Sequence, residues 1–283
     1  MRNWHFSNFY FFCFTTVGVI VPYWSLYLQH KGFNAAQIGQ LMAVLLVTKV
    51  IAPNIWATFA DNIALRKGSS LGLIKYATLA TLAVYICTYW LADFWAMAMA
   101  MFGFCVFWNA CLPQIEAATL NHLADKKDQY GLIRLWGSVG FIVTVSGLGW
   151  LMDFTGPSAI MPAGALALLC LFFASLLMRD ANSARETNGE PGDQKAISNK
   201  SLVIPIAKLL NHKVLILLSL CVLMQISHAP FYTFFSIYLE SYGYSKLHIG
   251  MLWSIGVVFE IVIFIFGYRL LRRFSLGLSL IHI

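Results

Sequence analysis

The sequence predicts an all-α integral membrane protein of eight spanning helices, and three observations predict it. Of 283 residues, 59% are hydrophobic and only 11% charged, against about 25% charged in soluble globular domains. Apolar stretches of about 20 residues, enough to cross a ~30 Å hydrocarbon core as a helix, recur along the chain. The 19 Lys and Arg residues gather in alternate connections between those stretches. A chain this apolar cannot bury itself in one water-bathed core, so the bilayer is its solvent and lipid its first partner. A soluble enzyme and a secreted disulfide scaffold are excluded. The net charge of +7 follows membrane topology, so nucleic acid is not an expected partner.

In chain order, the windows that qualify as spans are 4–28, 36–60, 71–91, 94–120, 132–151, 158–178, 214–239 and 247–268. The first stays in the mature protein, because its apolar run is too long for a signal-peptide core and lacks a small-residue cleavage site. Short polar segments separate the windows: 30–34, 61–70, 125–130 and 153–157. One long gap, 179–213, contains RETNGEPGDQK and reads as a flexible linker. All six cysteines sit singly in apolar runs, with no CxxC pair and no metal spacing, and read as small packing residues.

Orientation follows from the excess of Lys and Arg on cytoplasmic loops. With the N-terminus in the cytoplasm, sixteen of the nineteen basic residues fall inside. Only Lys31 and Lys246 fall outside, and Lys49 is left within the membrane. The linker is therefore expected on the cytoplasmic side.

An internal repeat organises the spans. SLYLQHKGFNAAQIGQL (25–41) aligns without a gap on SIYLESYGYSKLHIGML (236–252), with seven of seventeen positions identical. Both copies are the outer connection between the first two spans of a set, so span seven restarts what span one began. Residues 1–178 form a six-helix bundle, 179–213 the linker, and 214–283 two helices of a second bundle. That parallel duplication is the pattern of the major facilitator superfamily, two six-helix halves around a central path. The second copy reads as unfinished, since RLLRRFSLGLSLIHI follows span eight and the expectation is a fragment or frameshifted product.

Ionisable residues at membrane depth are costly and usually mark substrate paths or proton relays. Lys49, Glu116, His228 and Glu260 are such residues, and Arg134 near the start of span five is a fifth. Lys49 and Glu260 are related by the repeat shift of 211, so the two halves carry opposite charges at equivalent depth. The plainer readings are charges paired with a neighbouring helix, a Glu116 reaching headgroup water, a snorkelling Arg134 and a hydrogen-bonded packing His228. Asn109 and Glu116 are seven apart and share a helix face. Pro113 and Pro230 can kink central helices and free carbonyls toward a cavity. Trp24, Tyr27, Trp90 and Trp95 fall near interfaces and are expected in the headgroup belt. Phe107, Trp108, Trp136, Phe141, Phe231 and Phe235 are deeper.

The motifs carry a family resemblance. WATFADNIALRK (56–67) resembles the superfamily's inner-loop signature, with Asp61 and Arg66 in place, and Ala57 and Asn62 departing from it. In that family the Asp and its basic partners latch one conformation. Asn109, Glu116, Arg134 and Phe141 stand at the spacing of the lactose/proton symporter, where the Glu and Arg hold substrate and an aromatic residue packs on it. RLWGSVGF (134–141) and the run from His228 to Arg273 resemble the 3-phenylpropionate permease family of proton symporters. The resemblance implies a proton-coupled symporter for an aromatic carboxylate in a bacterial inner membrane, monomeric, driven by the proton gradient without a cofactor. Asn109, Glu116, Arg134, Phe141 and Lys49 would bind substrate, and Glu116, Glu260 and His228 would handle the proton. A sugar or nucleoside symporter and a non-transporting remnant are the alternatives. A membrane enzyme is not supported, since acyltransferase and membrane-protease patterns are missing.

Overall fold

The computed structural model describes residues 3–67, 71–123, 129–178 and 212–273. Among them are eight long helices: α1 (Trp4–His30), α2 (Ala35–Lys67), α3 (Leu71–Cys87), α4 (Phe94–Leu123), α5 (Tyr130–Thr155), α6 (Ile160–Leu176), α7 (His212–Ser241) and α8 (Lys246–Arg273). Short 3₁₀ turns, Thr88–Trp90 and Pro157–Ala159, follow α3 and precede α6. Each of the eight contains or forms a segment long and apolar enough to cross a membrane. The expected linker lies outside the described residues, apart from its last two positions, which open α7.

α1 is the centre of the bundle. It packs on α5 and α6 and reaches α7, while α2 and α3 pack on α4. Large α1 side chains are correspondingly buried, among them Phe9, Tyr10, Tyr23, Leu26 and Leu28. Trp24 and Tyr27 join them, which corrects their expected place in the headgroup belt. Trp24 is 3% exposed, donates its indole N–H toward Met101 Sδ at 3.4 Å and packs on Tyr27 and Tyr85. Trp90 and Trp95 are exposed, as a belt requires. α7 and α8 touch each other little. α8 docks instead on α5, and α7 on α1.

The two aligned segments of the repeat close in turns of the same form. Gly32 and Gly243 take φ of 91° and 82°, a left-handed backbone that a side chain would strain. Their N–H groups donate to Gln29 O and Glu240 O, each at 2.9 Å, closing the preceding helices. Asn34 then caps α2 in a reciprocal pair with Gln37, and Ser245 caps α8 by accepting from the His248 N–H. The capping pairs also align at the shift of 211, so start and stop signals were duplicated with the spans.

Helix bounds differ from expectation in two places that matter. α2 runs seven residues past position 60, so Asp61 and Arg66 lie on its final turns, not in a loop; their side chains fall outside the described ones. α5 begins at Tyr130, which moves Arg134 a further half-turn into the helix.

Candidate functional site: a charged cavity between two helix sets

A cavity of about 520 Å³ lies between α1, α2 and α5 on one side and α7 and α8 on the other. Helical periodicity builds its walls. Arg134, Ser138 and Phe141 form one stripe of α5; Gln225, His228 and Tyr232 one of α7; Trp253, Gly256 and Glu260 one of α8. These spacings of three, four and seven place side chains one above another on a helix face. α1 contributes Phe14, Val17 and Val21, and α2 contributes Lys49. A second cavity of about 430 Å³ shares Phe14, Val17, Val21, Lys49 and Arg134 with the first and extends to Pro53 of α2 and to Trp108, Asn109, Leu112 and Pro113 of α4.

Arg134 is half-buried at the junction of the two cavities. Its guanidinium carbon stands 4.0 Å over the centroid of the Phe14 ring and 5.9 Å from that of Tyr10. Among the described residues its N–H groups meet no hydrogen-bond acceptor and no carboxylate. Lys49, which also lines both cavities, is unpaired in the same sense. The ion pair the described residues do form joins Lys246 to Glu240 at 2.8 Å, in the α7–α8 turn. Lys49 and Glu260, equivalent in the repeat, thus face one cavity without bonding each other.

His228 accompanies Glu260 on the opposite wall. Its Nδ1 lies 2.7 Å from the Met224 carbonyl. A carbonyl only accepts, so Nδ1 carries the proton in the neutral ring and Nε2 is the site left for another. Phe141 is buried and lines the cavity beside Arg134. Asn109 lines the second cavity, its amide donating to Thr48 Oγ1 at 3.2 Å. Two helix-breaking residues shape this wall: Pro53 and Pro113 remove the intrahelical partners of the Lys49 and Asn109 carbonyls.

Glu116 departs from the group. It lines neither cavity and accepts the Tyr130 hydroxyl at 3.4 Å, nearly two helical turns beyond Asn109. A shared face does not give a shared depth, and seven residues cover about 10 Å along a helix. Trp136 is likewise away from the cavities, 51% exposed on the outside of α5. Sequence reasoning missed Phe14, Ser138, Gln225, Tyr232 and Trp253. The last four had a signal, since each sits three, four or seven positions from a charged candidate on its own helix. Phe14 had none, because its proximity to Arg134 arises from packing α1 on α5.

Comparison with known proteins settles the family. The family model described as "MFS_1 like family" matches residues 3–282. The chain belongs to this family of the major facilitator superfamily. It is 31% identical over 267 residues to a probable 3-phenylpropionic acid transporter of Escherichia coli (strain K12), covering 94% of this chain and 67% of that protein. It is 33% identical over 170 residues to a maltose permease of Geobacillus stearothermophilus, covering 59% of this chain and 42% of that one. The solved nucleoside transporter NupG superposes with a TM-score of 0.78 at 16% identity, over 97% of this chain and 69% of its own, a likeness of fold. The chain thus spans about two thirds of the length of the phenylpropionic acid transporter and of NupG. Its relatives are membrane transporters, not enzymes, and this MFS chain is a multi-pass membrane protein.

Proposed function

We propose that this MFS chain carries the binding site of a proton-coupled symporter for a small aromatic carboxylate such as 3-phenylpropionate. The observation that supports it most is the meeting of two cations unpaired among the described residues, Arg134 and Lys49, with Phe14, Phe141, Tyr232 and Trp253 around one cavity. A guanidinium offers a planar fork that matches a carboxylate, and an aromatic wall suits a phenyl ring. The name of the Escherichia coli relative agrees with this chemistry.

The same cavity suggests how a proton is coupled. An incoming carboxylate and the Glu260 carboxylate are alternative counter-ions for the same two cations. Two like charges about 6 Å apart at an effective dielectric of about 20 repel by roughly 3 kcal/mol. Protonating Glu260 removes that repulsion and leaves the cations to the substrate, and Nε2 of His228 is a second place for the proton. Glu116, outside both cavities, has no part in holding substrate in this arrangement. Asp61 and Arg66 on the last turns of α2 are proposed to latch one conformation. Transport by alternating access, with a cytoplasmic N-terminus in the bacterial inner membrane and a monomeric assembly, completes the reading.

A sugar or nucleoside is the second reading, favoured by the maltose permease relative. It brings no anion to a cavity that holds two cations and one carboxylate, and the displacement of Glu116 removes one acceptor for hydroxyl groups. Competition binding separates the two. Radiolabelled 3-phenylpropionate should bind the purified protein and be displaced by unlabelled acid, with maltose and uridine inert. Displacement by maltose or uridine but not by the acid would overturn the assignment.

A further inference from the structure

We propose that Phe14 is the positioning residue for Arg134, and that Gly137 is glycine because the stack needs its space. The inference rests on the reading of Arg134 as the carboxylate site. A free arginine side chain has several rotatable bonds, and holding it for bidentate contact costs conformational entropy. Here the guanidinium carbon lies 4.0 Å over the Phe14 ring, the distance of a close cation–π stack. Stacking covers a face of the guanidinium and leaves its in-plane N–H edge uncovered, the edge that a carboxylate fork engages. The Tyr10 ring stands farther off, at 5.9 Å, and Arg134 has no hydrogen-bonded anchor among the described residues, so Phe14 is its nearest support.

Gly137 shows that the stack is built in. It lies one helical turn from Arg134, and a Cβ placed on it would meet Phe14 Cδ2 at 2.8 Å and Arg134 Nη1 at 3.1 Å. Any larger residue there would displace the ring, the guanidinium or both. Its φ is ordinary and helical, so backbone freedom does not explain the glycine. Phe14 also lines both cavities, so the stacked pair stands where they join. Phe14 therefore sets how tightly a carboxylate binds without touching its charge.

The test is fluorescence titration of the full chain with 3-phenylpropionate and with its neutral amide. Phe14→Leu keeps apolar volume and removes the ring's quadrupole; acid affinity should fall about three- to tenfold more than amide affinity, since both ligands share the phenyl contact with the cavity wall. Phe14→Tyr should restore acid affinity, and Gly137→Ala should reproduce the acid-selective loss from the opposite helix. Thermal melts of each variant establish that it is folded, and Gly137→Ala keeps the question open to decision if Phe14→Leu is not. Equal loss for acid and amide would make Phe14 mere packing and overturn the proposal, as would unchanged acid affinity in both Phe14→Leu and Gly137→Ala. Arg134→Ala separates the two levels. If it abolishes acid binding while the Phe14 and Gly137 variants do not weaken it, only the positioning role fails. If Arg134→Ala binds the acid like wild type, the carboxylate site fails and the positioning role with it.

Discussion

Glu260 is the residue on which the coupling idea turns. It shares a cavity with Arg134 and Lys49 and bonds neither among the described residues. While ionised it competes with a bound carboxylate, so affinity for the acid should fall as protons become scarcer. If one proton binds with each substrate, the limit is about tenfold per pH unit. Glu260→Gln imitates the protonated group and should hold the acid tightly, with the pH dependence of binding flattened. Dissociation constants measured over a pH series check it; an unchanged slope would move the proton elsewhere, His228 first. Charges at this depth were legible in the sequence because the bilayer penalises them, and the repeat shift had already set Lys49 against Glu260. Two placements were not legible. Glu116 was drawn to Asn109 by helical spacing, which reports a face and not a depth, and Phe14 reaches Arg134 only through tertiary packing.

Among the elements, α5 and α8 make the most extensive contact between the first six helices and the last two. A Cβ on Gly250 would run into the Val145 carbonyl and the Tyr23 hydroxyl. That hydroxyl donates to Val145 O at 2.7 Å, and Ser146 and Ser254 lie 3.2 Å apart oxygen to oxygen. The Asp153 carboxylate accepts from the Lys246 and Leu247 N–H groups at 2.7 and 3.2 Å, supplying the unpaired donors at the start of α8. Small residues at such a contact let helices close in lipid. Gly250→Leu should therefore force α8 off α5, with an overpacking cost of about 1–3 kcal/mol. Cysteines in place of Ser146 and Ser254 should cross-link readily in the parent background. Adding Gly250→Leu should cut the yield about tenfold or more; undiminished cross-linking would show that the glycine contact does not govern the approach. The spans themselves could be read from apolar length, and the turns from Gly and cap residues. The continuation of α2 to Lys67 could not, because a polar stretch rich in helix formers breaks the hydropathy signal without breaking the helix.

At the scale of the whole molecule, two sets of helices related by a repeat enclose a space that neither lines alone. Arg134, Lys49 and Phe141 come from the first set, and His228, Tyr232, Trp253 and Glu260 from the second. Family, spans and repeat were all legible because they are properties of sequence period and composition. The cavity wall was legible only in part, since it depends on which helix faces meet. The central claim is that this shared space holds an organic carboxylate on Arg134. Its most direct test is calorimetric titration of wild type and Arg134→Lys with 3-phenylpropionate and 3-phenylpropionamide. Lysine keeps the charge and loses the bidentate fork, so acid affinity should fall by about 1.5–3 kcal/mol, on the order of ten- to a hundredfold. The amide should bind wild type weakly and be little affected by the substitution. Equal acid affinities for wild type and Arg134→Lys would contradict the account.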